Sequence, residues 1–237
     1  MFHKLSHNMF FGGFEKFTLI DYSGKTACMV YTIGCPFRCP YCHNPELVNE
    51  TCKIKINEEE VLDFLSTRQN MLDGIVVTGG EPSMHGDKLI EFMRKVKVLG
   101  FLIKLDSNGV DPDFLQKIIN EKLVDYIAMD IKAPIIKYMQ SVARSVDVDA
   151  IRKSIEIIKS SGVDYEFRTT IVRSMLSLQD LEQIGMEIAG AKRYFLQKFV
   201  PTKVISPQFI KKSTYTDDEL VSIKSTMENY VEFCGIR

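Results

Sequence analysis

Residues 26–45 read TACMVYTIGCPFRCPYCHNP. The first nine of these, Thr26 to Gly34, are rich in β-branched and apolar residues and predict a strand. Cys35, Cys39 and Cys42 follow at once, in the spacing C-x3-C-x2-C. Three thiols on one short loop can wrap one face of a soft metal centre, either zinc or an iron–sulfur cluster. Three is one ligand too few for a structural zinc, which normally closes with four. His43 is awkwardly placed to complete the same tetrahedron, because it is adjacent to Cys42. A four-iron cluster held by three thiolates instead leaves one iron free for a further ligand.

Further strands are predicted at Gly74–Thr78, Phe101–Leu105, Tyr126–Met129, Tyr165–Val172 and Tyr194–Val200. Helical patterns separate most of them. Asn57 is placed to cap a helix carrying Val61, Phe64, Leu65 and Leu72, and Asp87 to open one that stops at Gly100. Asp111 with Pro112 reads as a cap followed by proline in the first turn. Val148, Ile151, Ile155 and Ile158 keep helical spacing up to Gly162. Ser177 with Asp180, and Thr216 with Glu219, resemble capping boxes. Strand–helix alternation repeated six times implies a parallel sheet. Crossovers of one hand would curl it into a partial (β/α)6 barrel with outer helices, and a flat doubly wound sheet fits the periodicity equally well. The stretch 134–146 fits either a helix or a loop over the site.

The 237 residues, 45% hydrophobic, suffice for one domain with a sizeable core. That domain divides into an N-terminal extension (1–25), a barrel core (26–200) and a C-terminal segment with a terminal helix (201–237). Lys and Arg number 30 against 31 Asp and Glu, so no net positive charge argues for nucleic acid. No apolar run is long enough to span a bilayer, and the first residues lack the apolar stretch of a secretory signal. A cytoplasmic protein is expected. Thiols stay reduced there, so a tight Cys group points to metal before disulfides. Cys28, Cys52 and Cys234 form no second ligand set and read as packing residues.

Four of the later strands end in polar motifs, where the chemistry of (β/α) barrels sits. The second ends in Thr78-Gly79-Gly80-Glu81-Pro82. Its paired glycines allow close approach to a ligand, and Glu81 could accept hydrogen bonds from an ammonium group, although a plain tight turn explains the segment as well. The third ends in Asp106-Ser107-Asn108-Gly109, which also fits an ordinary Asx turn. The fourth ends in Asp130-Ile131-Lys132, whose charged side chains point the same way across the pleat. A solvated ion pair is the plain alternative. The fifth carries Arg168-Thr169-Thr170, where the hydroxyls could reach a ligand and β-propensity explains both threonines equally well.

C-x3-C-x-aromatic-C, complete here with Tyr41 at the aromatic position, resembles the signature of the radical S-adenosylmethionine (SAM) superfamily. The resemblance implies a [4Fe–4S] cluster on Cys35, Cys39 and Cys42, with SAM chelating the open iron. It also implies Tyr41 and Asn44 near the adenine, His43 within the same cofactor site, and Gly79, Gly80 and Glu81 at the methionine amino group. Lys132 would meet the methionine carboxylate. Ser107, Asn108 and Thr170 belong to the same implied cofactor site, and Asp106 and Asp130 would help to bind a monovalent cation. Stretches such as Gly13–Tyr22, Cys39–Val48, Val124–Pro134 and Ser161–Thr170 resemble the activating proteins of anaerobic ribonucleoside-triphosphate reductase. That family implies a glycyl-radical enzyme as partner and a flavodoxin or ferredoxin as one-electron donor. The cluster and SAM would carry the chemistry, with no side chain acting as acid or base. Two departures stand out. Ser23 replaces a proline common in the family. None of His3, His7, His43 and His85 lies near the fifth strand, where the family brings a late-barrel histidine to its cosubstrate. Two other readings remain: a radical enzyme acting on a small molecule, such as a 7-carboxy-7-deazaguanine synthase, and a zinc-binding interaction module.

Overall fold

A computed structural model describes residues 8–237. Its strands are β1 (Phe10–Thr18), β2 (Ala27–Thr32), β3 (Ile56–Asn57), β4 (Gly74–Gly79), β5 (Leu102–Ser107), β6 (Tyr126–Asp130), β7 (Asp164–Ile171), β8 (Tyr194–Lys198) and β9 (Cys234–Ile236). Its helices are α1 (Pro45–Val48), α2 (Glu58–Ser66), α3 (Gly86–Val98), α4 (Pro112–Asn120), α5 (Tyr138–Val142), α6 (Val148–Ser160), α7 (Leu178–Glu187) and α8 (Asp217–Met227).

All nine strands join one sheet in the order β3-β1-β2-β4-β5-β6-β7-β8-β9. From β2 onward the neighbours are parallel and follow chain order without reversal. A doubly wound sheet requires a reversal, so that alternative falls. Crossovers of one hand in unbroken order put the helices on one face and curl the sheet. The edges, β3 and β9, stay apart in the strand order, so the barrel is partial.

Alternation along the strands divides two environments. Val30, Ile75, Val77, Ile103, Leu105, Ile127, Phe167 and Leu196 pack with helix residues such as Val61, Phe92, Leu115 and Ile155 in the main core. The opposite face carries a small cluster of Tyr22, Ala27, Met29, Val76, Tyr126 and Ala128. Beyond that cluster it turns polar. The expected caps are present: Asn57, Asp111, Ser177 and Thr216 each accept from a first-turn amide. α3 begins one residue earlier than expected, at Gly86, behind a 3-10 turn (Pro82–His85).

Three strands escape the sequence reading. β1 and β3 form an antiparallel edge, so the sheet begins inside the segment read as an extension. The β1 pattern is broken by Gly12 and Gly13, with a register shift there. A Cβ on Gly12 would sit 2.4 Å from Leu47, so glycine lets α1 approach the strand. β9 adds a seventh parallel strand of only three residues. The stretch 134–146 forms a 3-10 turn (Ile135–Lys137) and α5. It lies beside the Cys loop, where Val142 O accepts from the Arg38 amide at 2.8 Å.

Candidate functional site

The Cys loop leaves β2 at Gly34, whose φ of +92° suits glycine. Its backbone is tied on several sides. Gly34 N donates to Leu47 O at 2.8 Å, Glu81 N donates to Gly34 O at 2.8 Å, and Cys42 N donates to Cys39 O at 3.0 Å. The Arg38 guanidinium reaches back to Cys35 O at 2.6 Å. Gly80 allows the close approach of β4, because a Cβ there would sit 1.9 Å from Gly34 O. The glycine pair thus serves strand-to-loop packing as much as any ligand.

Cys39 is buried, and Cys35 and Cys42 are half-buried. Burial, with the nearby Glu81 carboxylate, pushes the Cys35 thiol up to about 12, and burial pushes Cys39 up to about 11. The free Cys35 and Cys39 thiols hold their protons, so thiolate ligation must release them. His43 is exposed. Its Nε2 lies 2.9 Å from Val200 O, and its ring stacks on Phe199 with centroids 5.6 Å apart. That leaves the three cysteines without a fourth ligand from His43. Among the described residues no three His, Cys, Asp or Glu side chains close on one point as a single ion requires. An iron–sulfur cube asks less, since each thiolate meets a different iron, so the donor set fits a cluster better than a lone zinc.

Below the loop, the strand ends carry a chain of charges. Lys104 pairs with Asp106 at 3.1 Å, Arg168 with Asp106 at 3.0 Å and with Asp130 at 2.6 Å, and Lys132 with Asp130 at 2.9 Å. Burial alone would raise Asp130, but the Arg168 and Lys132 cations outweigh it and hold the carboxyl well below the usual range. Of these groups Lys132 and Arg168 line the cavity together with both carboxylates, and the Lys132 ammonium is a positive charge that suits an anionic group such as a ligand carboxylate. The space between Asp106 and Asp130 is taken by the Arg168 guanidinium. The carboxylates expected to bind a monovalent cation are therefore already paired.

Glu81 is fully buried. Its Oε1 accepts from Ser83 N at 3.1 Å, Ser83 Oγ at 2.7 Å and Ser107 Oγ at 2.8 Å, and its Oε2 accepts from Asn108 N at 2.7 Å. Glu81, expected at an ammonium group, lines the cavity and also braces the ends of β4 and β5 through these bonds.

All fifteen expected site residues line one cavity of about 420 Å³: Cys35, Cys39, Cys42, Tyr41, His43, Asn44, Gly79, Gly80, Glu81, Asp106, Ser107, Asn108, Asp130, Lys132 and Thr170. That volume falls in the range of roughly 300–1,000 Å³ typical of small-molecule sites. The Tyr41 hydroxyl is buried there without a hydrogen-bond partner, a donor left for a ligand. Thr169 points the other way, to Ile131 O at 2.8 Å. Sequence reasoning gave Arg168 no role, and it missed Tyr31 and Gln197, which also line the cavity. Gln197 stands near the end of β8, where no histidine comes. His85 bonds to Ile33 O at 3.0 Å, and His3 and His7 lie outside the described residues. Cys28 and Cys234 are buried in the main core, and Cys52 donates to Glu46 O at 3.3 Å.

Residues 29–184 match the family described as the Radical SAM superfamily. A protein of Methanocaldococcus jannaschii assigned to glycyl-radical enzyme activation is 32% identical over 232 residues, which is 95% of this chain and 94% of that protein. The pyruvate formate-lyase-activating enzyme of Listeria monocytogenes is 33% identical over 113 residues, 44% of this chain and 46% of its own. Among solved structures, a domain of the pyruvate-formate lyase-activating enzyme from Bacteroides vulgatus superposes with a TM-score of 0.56 at 14% identity. That superposition covers 69% of this chain and 98% of that one, and it speaks for the fold alone. No helix among the described residues is long and apolar enough to cross a membrane.

Proposed function

The chain belongs to the radical SAM superfamily and, within it, to the activating enzymes of glycyl-radical enzymes, and from that premise we propose that Cys35, Cys39 and Cys42 hold the [4Fe–4S] cluster and that the partner is an anaerobic ribonucleotide reductase. The single observation that carries the site assignment is the convergence of all three thiols and the strand-end charges on one cavity. When bound on Cys35, Cys39 and Cys42, the cluster together with SAM would supply one-electron radical chemistry able to take a hydrogen atom from the partner's glycine.

The chain's own residues bind, orient and exclude water. Lys132, with Arg168 behind it, offers positive charge to the methionine carboxylate. Tyr41, Asn44 and Thr170 line the cavity and would contact the adenine and ribose. Gly79 and Gly80 bring the end of β4 against the Cys loop and line the cavity, where the ligand amino group would sit. A monovalent cation at Asp106 and Asp130 would have to displace the Arg168 guanidinium that joins them. The donor of the electron is a flavodoxin or ferredoxin. The partner assignment rests on the Gly13–Tyr22 and Val124–Pro134 stretches and on the intact C-x3-C spacing, which disfavours a 7-carboxy-7-deazaguanine synthase.

Anaerobic reconstitution tests the reading. About four irons per chain are expected, as a [4Fe–4S] cluster requires. With reductant, SAM and an anaerobic ribonucleotide reductase, a glycyl-radical doublet should appear in the electron paramagnetic resonance spectrum. A colourless one-zinc protein would overturn the cluster. A loaded, SAM-cleaving enzyme that gives no doublet with this partner but does so with pyruvate formate-lyase would overturn the partner.

A further inference from the structure

We infer that Asn108 donates a hydrogen bond to the Cys35 sulfur that raises the reduction potential of the cluster, and that Glu81 is the positioning residue that aims it. This rests on the cluster reading above and assigns a role that the reading leaves open. Asn108 Nδ2 lies 3.8 Å from Cys35 Sγ, within reach of a sulfur acceptor. The amide is not free to flip. Its Oδ1 accepts from Val110 N at 3.0 Å in an Asx turn, so the NH₂ end must face the sulfur. The turn is closed by Gly109, at φ +74°. At that φ a side chain in place of this hydrogen is strained, and its Cβ would also displace the flexible tip of Met129.

Glu81 fixes both ends of this contact. Its Oε2 holds the Asn108 amide at 2.7 Å, while its own amide donates to Gly34 O at 2.8 Å, one residue before Cys35. One buried side chain therefore registers the donor loop against the acceptor loop. Hydrogen bonds to cluster sulfurs withdraw negative charge and favour the reduced state. A half-buried thiolate pays more than an exposed one for that charge, so a single directed N–H counts for more there.

Potentiometric titration of the reconstituted holoenzyme, read by electron paramagnetic resonance without SAM, measures the effect. For Asn108→Ala the reduced-to-oxidised ratio at a fixed ambient potential should fall about three- to tenfold, tenfold being 59 mV for one electron. Asn108→Asp, which replaces the donor with a charged acceptor, should fall further. Iron content should stay that of the parent. Full iron content with an unmoved potential in both variants overturns the inference while leaving the cluster reading intact. If the variants do not load, the native protein decides. Nitrogen-15 labelling of asparagine should reveal an electron–nuclear coupling from the side-chain nitrogen to the reduced cluster, and its absence overturns the inference. If the native chain itself forms no cluster, the proposed function fails first.

Discussion

Arg168 Nε donates to Asp130 Oδ1 across 2.6 Å, and the two residues are register partners on β7 and β6. The guanidinium reaches on to Asp106 on β5, so one side chain ties three strand ends together. Arg168→Met should leave each carboxylate with only its lysine. A loss of about 2–3 kcal/mol is expected, at the low side of the cost of removing one partner of a buried pair because the cavity keeps the groups partly wetted. The same change removes one of the two cations that line the cavity. SAM should bind about tenfold or more weakly, as removing a charge-assisted contribution of roughly 1.4 kcal/mol or more implies. Denaturant midpoints and calorimetric titration of the loaded protein read the two effects separately. A SAM affinity unchanged in a destabilised variant would reduce Arg168 to a structural role.

The pairing of Asp130 also fixes a pH dependence. Its folded pKa lies below the ordinary value near 3.9 because the Arg168 and Lys132 cations overcome the effect of burial. A depressed carboxyl gives stability that is present above its unfolded pKa and is lost as pH falls through that value toward the folded one. Asp130→Asn should therefore be less stable than the parent at neutral pH, and the gap should close as pH drops below about 4. Unfolding free energies measured from pH 7 down to 3 test this. A gap of constant size would mean that Asp130 has no depressed pKa.

Gly80 is the tightest point between sheet and Cys loop. Gly80→Ala would place a Cβ 1.9 Å from Gly34 O, a backbone atom that cannot turn aside. The strand end and the loop must separate, and the bonds Glu81 N to Gly34 O and Gly80 N to Thr32 O sit at that seam. The expected outcome is a chain with near-native circular dichroism that takes up less than half the parent's iron on reconstitution. Full iron loading would show that the loop tolerates the shift.

The sequence carried the six central strands because parallel, helix-covered strands read as short apolar runs between capped helices. It also carried the grouping of the expected residues around one cavity, since the ends of consecutive parallel strands converge whatever the curvature. What stayed hidden depends on register and distance. Arg168 looks like a strand arginine until the pairing with β6 puts it opposite Asp130. The bracing role of Glu81 shows only once Ser83, Ser107 and Asn108 are seen around it. β1 hides behind Gly12 and Gly13, and β9 is too short to show a period.

Glu81 itself offers a stability test. Glu81→Ala would leave the Ser83 and Asn108 amides and the Ser83 and Ser107 hydroxyls without their acceptor in a buried site. Each unsatisfied buried donor costs about 1–3 kcal/mol, and water entering the vacated volume recovers part of the sum. A net loss of about 3–5 kcal/mol is expected in denaturant unfolding, with Glu81→Gln retaining a substantial share of it because one amide oxygen survives. A loss below 1 kcal/mol for the alanine variant would show that the two strand ends need no brace.

The segment after β8 lies across the Cys loop and should protect what the loop holds. Val200 O meets His43, Ile205 N donates to Cys42 O at 3.1 Å, and Ser206 N donates to Pro40 O at 2.9 Å. His43→Ala removes the first contact and the stacking on Phe199 but leaves both backbone bonds, so iron loading should stay near that of the parent. Local opening becomes easier when one of three ties is cut, and oxygen reaches the cluster through such openings. The visible absorbance of the loaded variant should bleach a few-fold faster in air than that of the parent. Equal bleaching rates at equal iron content would show that the segment does not gate access to Cys42, and that its two backbone bonds hold it closed without the histidine.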